Sequence, residues 1–301
     1  MRIGVDLGGT KIEAIALTGE GAVFDRKRVP TPRDDYHATL RAIAALVGSL
    51  EEEIGERATV GIGTPGAISP ATGRMKNANS VWLNGRPLAE DLAKRLDRPI
   101  RIANDADCFA LSEARDGAGS GARLVFGVIL GTGVGGGIVA DGRIVTGPNA
   151  IGGEWGHNPL PWPASGEWPG PSCYCGRTGC IERFLSGPGL ALDYQEATGD
   201  AVEPPGIVAR SEAGDAAADA ALVRYEERLA RGLASVINVL DPDVIVLGGG
   251  LSNLKRLYRG VPERWASWVF SDRVDTRLVP PAHGDSSGVR GAACLWPASR
   301  G

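Results

Sequence analysis

The segment that most restricts how this chain can fold occurs twice. Ile3-Gly-Val-Asp-Leu-Gly-Gly-Thr10 and Gly127-Val-Ile-Leu-Gly-Thr-Gly133 are two versions of one pattern, an apolar strand broken by a glycine turn. The first is followed by a second apolar run, Ile12–Leu17, and the second by Ile138–Val145, which reads as a hairpin turning at Asp141-Gly142. Such runs, rich in β-branched residues and closed by glycine, read as strand–turn–strand. The repetition hints at an internal duplication, and 301 residues are enough for two domains of ordinary size.

Around the first copy, Arg2–Val5, Ile12–Leu17 and Ala22–Arg28 read as strands. Thr39–Ile54 carries Leu40, Ile43, Leu46, Val47, Leu50 and Ile54 at helical spacing. A strand at Thr59–Ile62, a helix at Leu88–Leu96, a strand at Ile100–Ala103 and a helix from about Asp105 follow. This alternation predicts an α/β architecture, a mixed sheet flanked by helices. The second copy opens with a strand at Arg123–Leu130 and turns again at Asp141-Gly142. Beyond it, Asn158–Ser172 reads as a long Pro- and Trp-rich loop and Glu196–Gly214 as a weakly patterned, mobile connection. Ala216–Leu240 is a long helix stopped at Asp241-Pro242, Val244–Leu247 a buried strand, and Gly248–Gly250 leads into a helix that Ser252 caps. Ser287–Leu295, with Gly291, Ala292 and Ala293, suits a closely packed helix.

A net charge of −4 and a pI near 5.5 argue against nucleic acid or a membrane surface as partner, since both need a positive field. The first apolar stretch is interrupted by Asp6, unlike a secretory signal, and the uncharged run Leu124–Ala140 is too glycine-rich for a membrane span. A cytoplasmic enzyme is the expectation.

His157 precedes Cys173-Tyr-Cys175-Gly-Arg-Thr-Gly-Cys180 by sixteen residues. A short loop carrying Cys-x-Cys and a third cysteine after a glycine turn can face three sulfurs to one point. Zn²⁺ takes three thiolates and an imidazole in a closed tetrahedron with no position left for water, which is a structural role. The alternatives are a disulfide or three unrelated buried thiols. Cys108 and Cys294 lie in apolar runs and read as plain buried thiols.

Three glycine-rich turns follow strands: Asp6-Leu-Gly-Gly-Thr-Lys11, Gly131-Thr-Gly-Val-Gly-Gly-Gly137 and Gly248-Gly-Gly250. Glycines at such turns let backbone N–H groups approach phosphate oxygens. Thr10 and Lys11 add a hydroxyl and a cation, whereas Asp6 repels phosphate and suits Mg²⁺ held through water. Gly131-x-Gly133-x-x-Gly136 matches a dinucleotide fingerprint literally, but a hairpin and not a helix follows it. Each turn alone is equally an ordinary tight turn; the three together favour a nucleotide. Asn104-Asp105-Ala-Asp107 opens a helix after a strand. An aspartate there stays ionised and can orient a hydroxyl for attack on phosphorus. An ordinary N-cap is the competing reading.

Taken in order, Asp-Leu-Gly-Gly-Thr-Lys, Asn-Asp-Ala-Asp, Gly-Thr-Gly-Val-Gly-Gly-Gly, Gly-Glu-Trp-Gly-His, Cys-x-Cys-Gly-x-x-Gly-Cys-Ile-Glu and Leu-Gly-Gly-Gly resemble the ROK (repressor, open reading frame, kinase) family from Gly4 to about Trp296. Within it, Pro30–Tyr36, Lys76–Asn84, His157–Trp162 and His283–Gly291 look most like the bacterial fructokinases, or manno(fructo)kinases. The resemblance implies the actin-like ATPase fold, two RNase H-like lobes with ATP and sugar in the cleft. The first lobe would be residues 1–117 with a C-terminal helix at about 287–301, the second 118–286 with the zinc loop. Asp105 would be the catalytic base, with Asn104, Glu154, His157 and Glu182 on sugar hydroxyls and the loop around Gly66 closing the pocket. The resemblance puts Gly4, Val5, Asp6, Leu7, Gly8, Gly9, Thr10 and Lys11 on the phosphates. It adds Gly131, Thr132, Gly133, Val134, Gly135, Gly136, Gly137 and Ile138, with Gly249 and Gly250 near adenosine. His157, Cys173, Cys175 and Cys180 would bind zinc, one ring nitrogen of His157 on the metal and the other toward the sugar. Asp107 stands where the family often has Asn and receives no catalytic role. The expected reaction is ATP- and Mg²⁺-dependent phosphorylation of a hexose 6-hydroxyl, fructose first and mannose second, by a homodimer. Glucose, N-acetylglucosamine and N-acetylmannosamine are the near alternatives. A sugar-sensing repressor is the alternative of another class, disfavoured because the chain begins directly at its first strand.

Overall fold

The computed structural model describes residues 1–297. In chain order, β1 (Arg2–Leu7), β2 (Lys11–Leu17) and β3 (Val23–Pro30) precede α1 (Tyr36–Ile54) and β4 (Thr59–Thr64). The short strands β5 (Ala67–Ile68) and β6 (Met75–Lys76), then α2 (Leu88–Leu96), β7 (Ile100–Asn104) and α3 (Asp105–Asp116) follow. The later part holds β8 (Leu124–Leu130), β9 (Val134–Ala140), β10 (Arg143–Ile144), α4 (Glu182–Leu185), α5 (Gly187–Thr198) and α6 (Pro204–Glu212). It ends with α7 (Ala216–Leu240), β11 (Val244–Gly248), α8 (Leu257–Trp265), β12 (Arg277–Val279) and α9 (Ser287–Cys294).

Two five-stranded sheets have the orders β3-β2-β1-β4-β7 and β10-β9-β8-β11-β12. In the first, β1 pairs antiparallel with β2 and parallel with β4, and β4 runs parallel to β7. In the second, β8 runs parallel to β11 and β11 to β12. Strand for strand the two orders correspond, which is the duplication that the paired glycine hairpins suggested. The chain divides into two compact units, one of Met1–Gly121, Gly137–Gly152 and the segment from Ala282 on, the other of Ala122–Gly136 and Gly153–Pro281.

In the first unit the period-2 alternation of β2 sorts its side chains to two faces. Ile12, Ala14 and Ala16 join Ile3, Val5, Val60 and Ile62 in a core that α1 and α2 complete with Ile43, Val47, Leu50, Leu88 and Leu92. Ile15 and Leu17 meet Val289 and Ala293 of α9. Helix α9 lies so close to the sheet that a Cβ at Gly61 would stand 1.9 Å from the Ala292 carbonyl oxygen, and one at Gly4 2.1 Å from that of Val289. Only glycine permits this approach. Gly61→Ala is therefore expected to cost about 3 kcal/mol, the upper end of ordinary overpacking, because the obstacle is backbone. Urea unfolding checks this: the midpoint should fall with little change in slope, and an unchanged midpoint would show that α9 can move aside.

Local capping explains where elements begin. α1 starts at Tyr36, three residues before the expected Thr39, because Asp35 accepts the Ala38 N–H and caps it; Gly55 at φ 77° closes it. The expected mobile connection 196–214 is instead the end of α5 and all of α6. Ser186 caps α5, Pro204 and Pro205 occupy the first turn of α6, and Ile207 is fully buried. Weak periodicity hid these helices because each buries only a narrow face. Ser252 does not cap a long helix either: it lies in a 3₁₀ turn, Gly250–Asn253, and donates to the Gly249 carbonyl, while α8 begins at Leu257 without a side-chain cap.

In the second unit α7 spans 25 residues between the Asp215 cap and Asp241, with Leu222, Tyr225, Leu229, Leu233 and Ile237 buried. Its Arg228 and Arg231 hold Glu167 of the Trp-rich loop at 2.7 and 2.8 Å, and Arg228 also holds Asp193 at 2.6 Å. Among the described residues no helix is long and apolar enough to cross a membrane.

Candidate active site and metal centre

In the first unit three parallel strands, β1, β4 and β7, end side by side, with Asp6 beside Gly63 and Thr64 beside Asn104. Carboxyl ends of parallel strands are where open α/β sheets place ligands, since the chain must turn there and expose backbone groups. Asn104 caps α3, its Oδ1 accepting the Ala106 N–H at 2.8 Å while its Nδ2 donates to the Gly66 carbonyl at 3.2 Å. Asp105 is the first helical residue, solvent-exposed, and its Oδ1 also lies 2.8 Å from the Ala106 N–H. The Ala106 N–H is thus shared between the Asn104 and Asp105 side chains, and Asp105 stands exposed at the helix start. Gly66 has φ 76°, and a Cβ there would stand 2.4 Å from the Lys76 carbonyl oxygen, so its turn is fixed by glycine.

Burial pushes the Asp6 carboxyl up to about 7, and the negative charges of Asp105 and Glu13 add to the rise against the opposing Lys11. The native state then holds a proton that the unfolded chain has released, so stability is fullest below the ordinary carboxylate range and declines as pH rises toward 7. Asp6→Asn removes that titration. In metal-free buffer the stability of the parent relative to Asp6→Asn is expected to fall between about pH 4 and pH 7. Parallel unfolding curves across that window would exclude the effect.

The β1–β2 turn is closed by the Gly8 N–H on the Lys11 carbonyl at 3.0 Å, leaving Gly9, Thr10 and Lys11 exposed. Two residues that sequence reasoning missed hold it. Thr31 donates to the Gly8 carbonyl at 2.7 Å; Arg33 donates to the Gly9 carbonyl at 3.1 Å and to the Thr10 hydroxyl at 3.2 Å. Only the Pro30–Tyr36 segment quoted above pointed to that region, and it carried no contact information. Gly4, Val5 and Leu7 are buried within the strand, and Gly4 is a glycine because of α9.

The second glycine turn is shorter than the expected Gly131–Gly137, because β9 already begins at Val134, and it too is held from outside. The Val134 N–H donates to Glu182 Oε2 at 3.0 Å, and a Cβ on Gly133 would stand 2.6 Å from that oxygen. The Trp155 indole N–H donates to the Gly135 carbonyl at 3.1 Å, and the Gly187 N–H to that of Gly131 at 2.8 Å. Thr132 stands exposed at the tip. Gly136 packs under Gly153 and Trp155, whereas Gly137 and Ile138 belong to the first unit, Gly137 against the start of α3. Gly249 takes φ 80° against Leu130, and Gly250 begins the 3₁₀ turn. Glu154 is exposed beside the buried Trp155.

His157, Cys173, Cys175 and Cys180 converge, their ligand atoms all within 4.8 Å of one another. Cys173 Sγ lies 3.6 Å from His157 Nδ1 and Cys175 Sγ 3.6 Å from Cys180 Sγ. A tetrahedron with metal–sulfur bonds of about 2.3 Å has edges near 3.8 Å, so the donor set fits Zn²⁺ and is too open for a disulfide. The cluster clips two segments together: the Leu160 N–H donates to Gly179, Ile181 to Asn158 and Glu182 to Gly156, at 2.8 to 2.9 Å. The other ring nitrogen of His157 meets the Tyr174 hydroxyl at 3.0 Å, a partner not anticipated from the sequence. Of the Trp-rich loop, Trp162 stacks on Trp268 at 5.3 Å and Trp168 is 70% exposed.

A model of the ROK family matches residues 2–299. An N-acetyl-D-glucosamine kinase of Escherichia coli O6:H1 is 43% identical over 300 residues, covering 98% of this chain and 99% of its own. The same kinase of Salmonella paratyphi C is 42% identical over 299 residues, with the same coverage. Among solved structures, a ROK hexokinase from Thermus thermophilus superposes with a TM-score of 0.86 at 32% identity, covering 97% of this chain and 96% of that one. A ROK glucokinase from Streptomyces griseus, in complex with glucose and AMPPNP, gives 0.78 at 28% identity, covering 98% of each. The α/β, two-lobed actin-like fold expected from the motifs is the fold of this chain.

Proposed function

The chain belongs to the ROK family, and from that premise we propose that it is an ATP-dependent hexose kinase whose preferred acceptor is N-acetylglucosamine, phosphorylated on its 6-hydroxyl. The observation that carries the chemistry is Asp105, an exposed carboxylate fixed at the start of α3 beside Asn104, Gly66 and Asp6. In this reading the acceptor hydroxyl donates its hydrogen bond to Asp105. As its oxygen bonds to the γ-phosphorus, the bond to the β,γ-bridging oxygen breaks, ADP leaves, and Asp105 takes the proton. Asn104, Glu154, His157 and Glu182 are assigned to the sugar, and the loops 4–11 and 131–138 with Gly249 and Gly250 to the nucleotide. Mg²⁺ would neutralise charge on the phosphates, and Asp6, a half-buried carboxylate with a second negative group beside it, suits an ion held through water. Zn²⁺ would tie the segments bearing Glu154 and Glu182.

Fructose, the expectation from short segments, gives way here. Those segments are spread along the chain, whereas the likeness to N-acetylglucosamine kinases runs over 98% of it at 42–43% identity. Choice among hexoses rests on pocket shape, which short motifs report poorly. ADP release with N-acetylglucosamine, glucose, mannose, N-acetylmannosamine and fructose tests the proposal. N-acetylglucosamine is expected to give the highest kcat/KM, with fructose at least about tenfold lower. Fructose ahead of N-acetylglucosamine would overturn the substrate, and silence with all five would overturn the kinase.

A further inference from the structure

We propose that the first unit carries an anion site apart from its glycine turn, a pocket that takes a phosphate group, free or esterified to a small organic body. The pocket measures about 800 Å³, and three guanidinium groups line it, those of Arg101 on β7, Arg115 on α3 and Arg143 on β10, with no carboxylate in the lining among the described residues. That volume lies in the range of small-molecule sites.

Among the described residues none of these three arginines is in an ion pair. Asp116, next to Arg115 in sequence, is taken by His283 at 2.9 Å and Arg290 at 2.7 Å, and Asp141, two residues before Arg143, is not among the lining residues. Arg115 donates to the Cys294 carbonyl at 3.1 Å, and Arg101 donates to the Leu295 carbonyl with its guanidinium 4.2 Å above the Trp296 ring. Both are thus held in place by one neutral acceptor, with donors left over. Arg143 follows the tight Asp141-Gly142 turn, whose φ values of 49° and 72° fix the hairpin that presents it. Like charges gathered in one pocket of a net-acidic chain repel one another unless an anion joins them. Guanidinium forks match phosphate oxygens two by two, and a phosphate monoester carries close to two charges where a carboxylate carries one. Leu111, Ile144 and Leu295 give the pocket an apolar wall for an ester's carbon body.

The site touches the catalytic frame. Ile102 and Ala103 in its lining immediately precede Asn104, and Leu111 and Ala114 lie on the helix that begins with Asp105. An occupant therefore contacts the strand and the helix that hold the proposed base, and coupling between the two sites would run both ways.

Amide NMR titrations with inorganic phosphate and with glucose 6-phosphate test the proposal on the parent, Arg143→Gln and Arg143→Glu. Arg143 makes no side-chain bond among the described residues, so these variants leave the fold intact; Arg101 and Arg115, which hold backbone, would be poorer choices. Saturable shifts are expected at Gly142, Arg143 and Arg115, with half-saturation raised about tenfold in Arg143→Gln and no saturation in Arg143→Glu. Tighter binding of the ester identifies an organic phosphate as the ligand; equal binding identifies free phosphate. Shifts confined to the glycine turns 8–11 and 131–136, or identical titrations in all three proteins, would overturn the site while leaving the kinase reading untouched.

Discussion

Asp105→Asn is expected to lower kcat by about 10³-fold while leaving the binding of ATP and sugar nearly unchanged. The amide keeps an oxygen for the Ala106 N–H, and Asn104 caps α3 in either case, so the helix keeps its start. What disappears is a group that can take a proton when the acceptor oxygen bonds to phosphorus. Loss in kcat with KM unmoved is the signature of an interaction made only in the transition state. The same variant removes a negative charge beside Asp6, so the Asp6 carboxyl should titrate lower than the value near 7 it has in the parent. Carbon-13 NMR of the Asp6 carboxyl shows whether the replaced group sat where the structure puts it. Near-normal turnover combined with a shifted Asp6 would remove Asp105 from the chemistry while leaving the geometry correct.

Removal of the metal from the His157–Cys173–Cys175–Cys180 cluster should lower the melting temperature by about 10 °C or more and abolish turnover together with it. Without the ion, three sulfurs and a ring nitrogen within 4.8 Å have no common centre, and the clip between 156–160 and 179–182 depends on backbone hydrogen bonds and weak thiol contacts. Glu182 stands at the end of that clip and also accepts the Val134 N–H of the second glycine loop. Loosening the cluster therefore disturbs two candidate ligand-binding segments at once. Cys180→Ser should reproduce the effect, since Cys180 is buried and its neighbour Ile181 starts the segment bearing Glu182. A sample verified as metal-free that melts and turns over like the parent would show the cluster to be a packing feature.

The separation between what was legible and what was not follows the range of the forces involved. Strands and long helices were visible because their apolar periodicity repeats over many residues, as in α7, whose ends at Ala216 and Leu240 were read directly. The first turn of α1 and the whole of α6 were missed, because a cap at Asp35 and a single buried Ile207 are one-residue signals. The metal cluster was legible because its four ligands crowd within 24 residues and thiolate chemistry restricts what they can do.

The sequence by itself determined the duplicated strand–glycine turn–strand frame, the Cys₃His donor set and the placing of Asp105 at a helix start, all features decided by neighbours along the chain. The tertiary structure alone decided that Asn104, which caps α3, also reaches Gly66, that Thr31 and Arg33 hold the first glycine turn, and that Glu182 holds the second. It also decided that Gly4 and Gly61 are glycines for the sake of α9, and that Arg101, Arg115 and Arg143 share one pocket. These pairings join residues tens to hundreds of positions apart, and no local pattern encodes a contact that exists only once the sheet has brought its strands together.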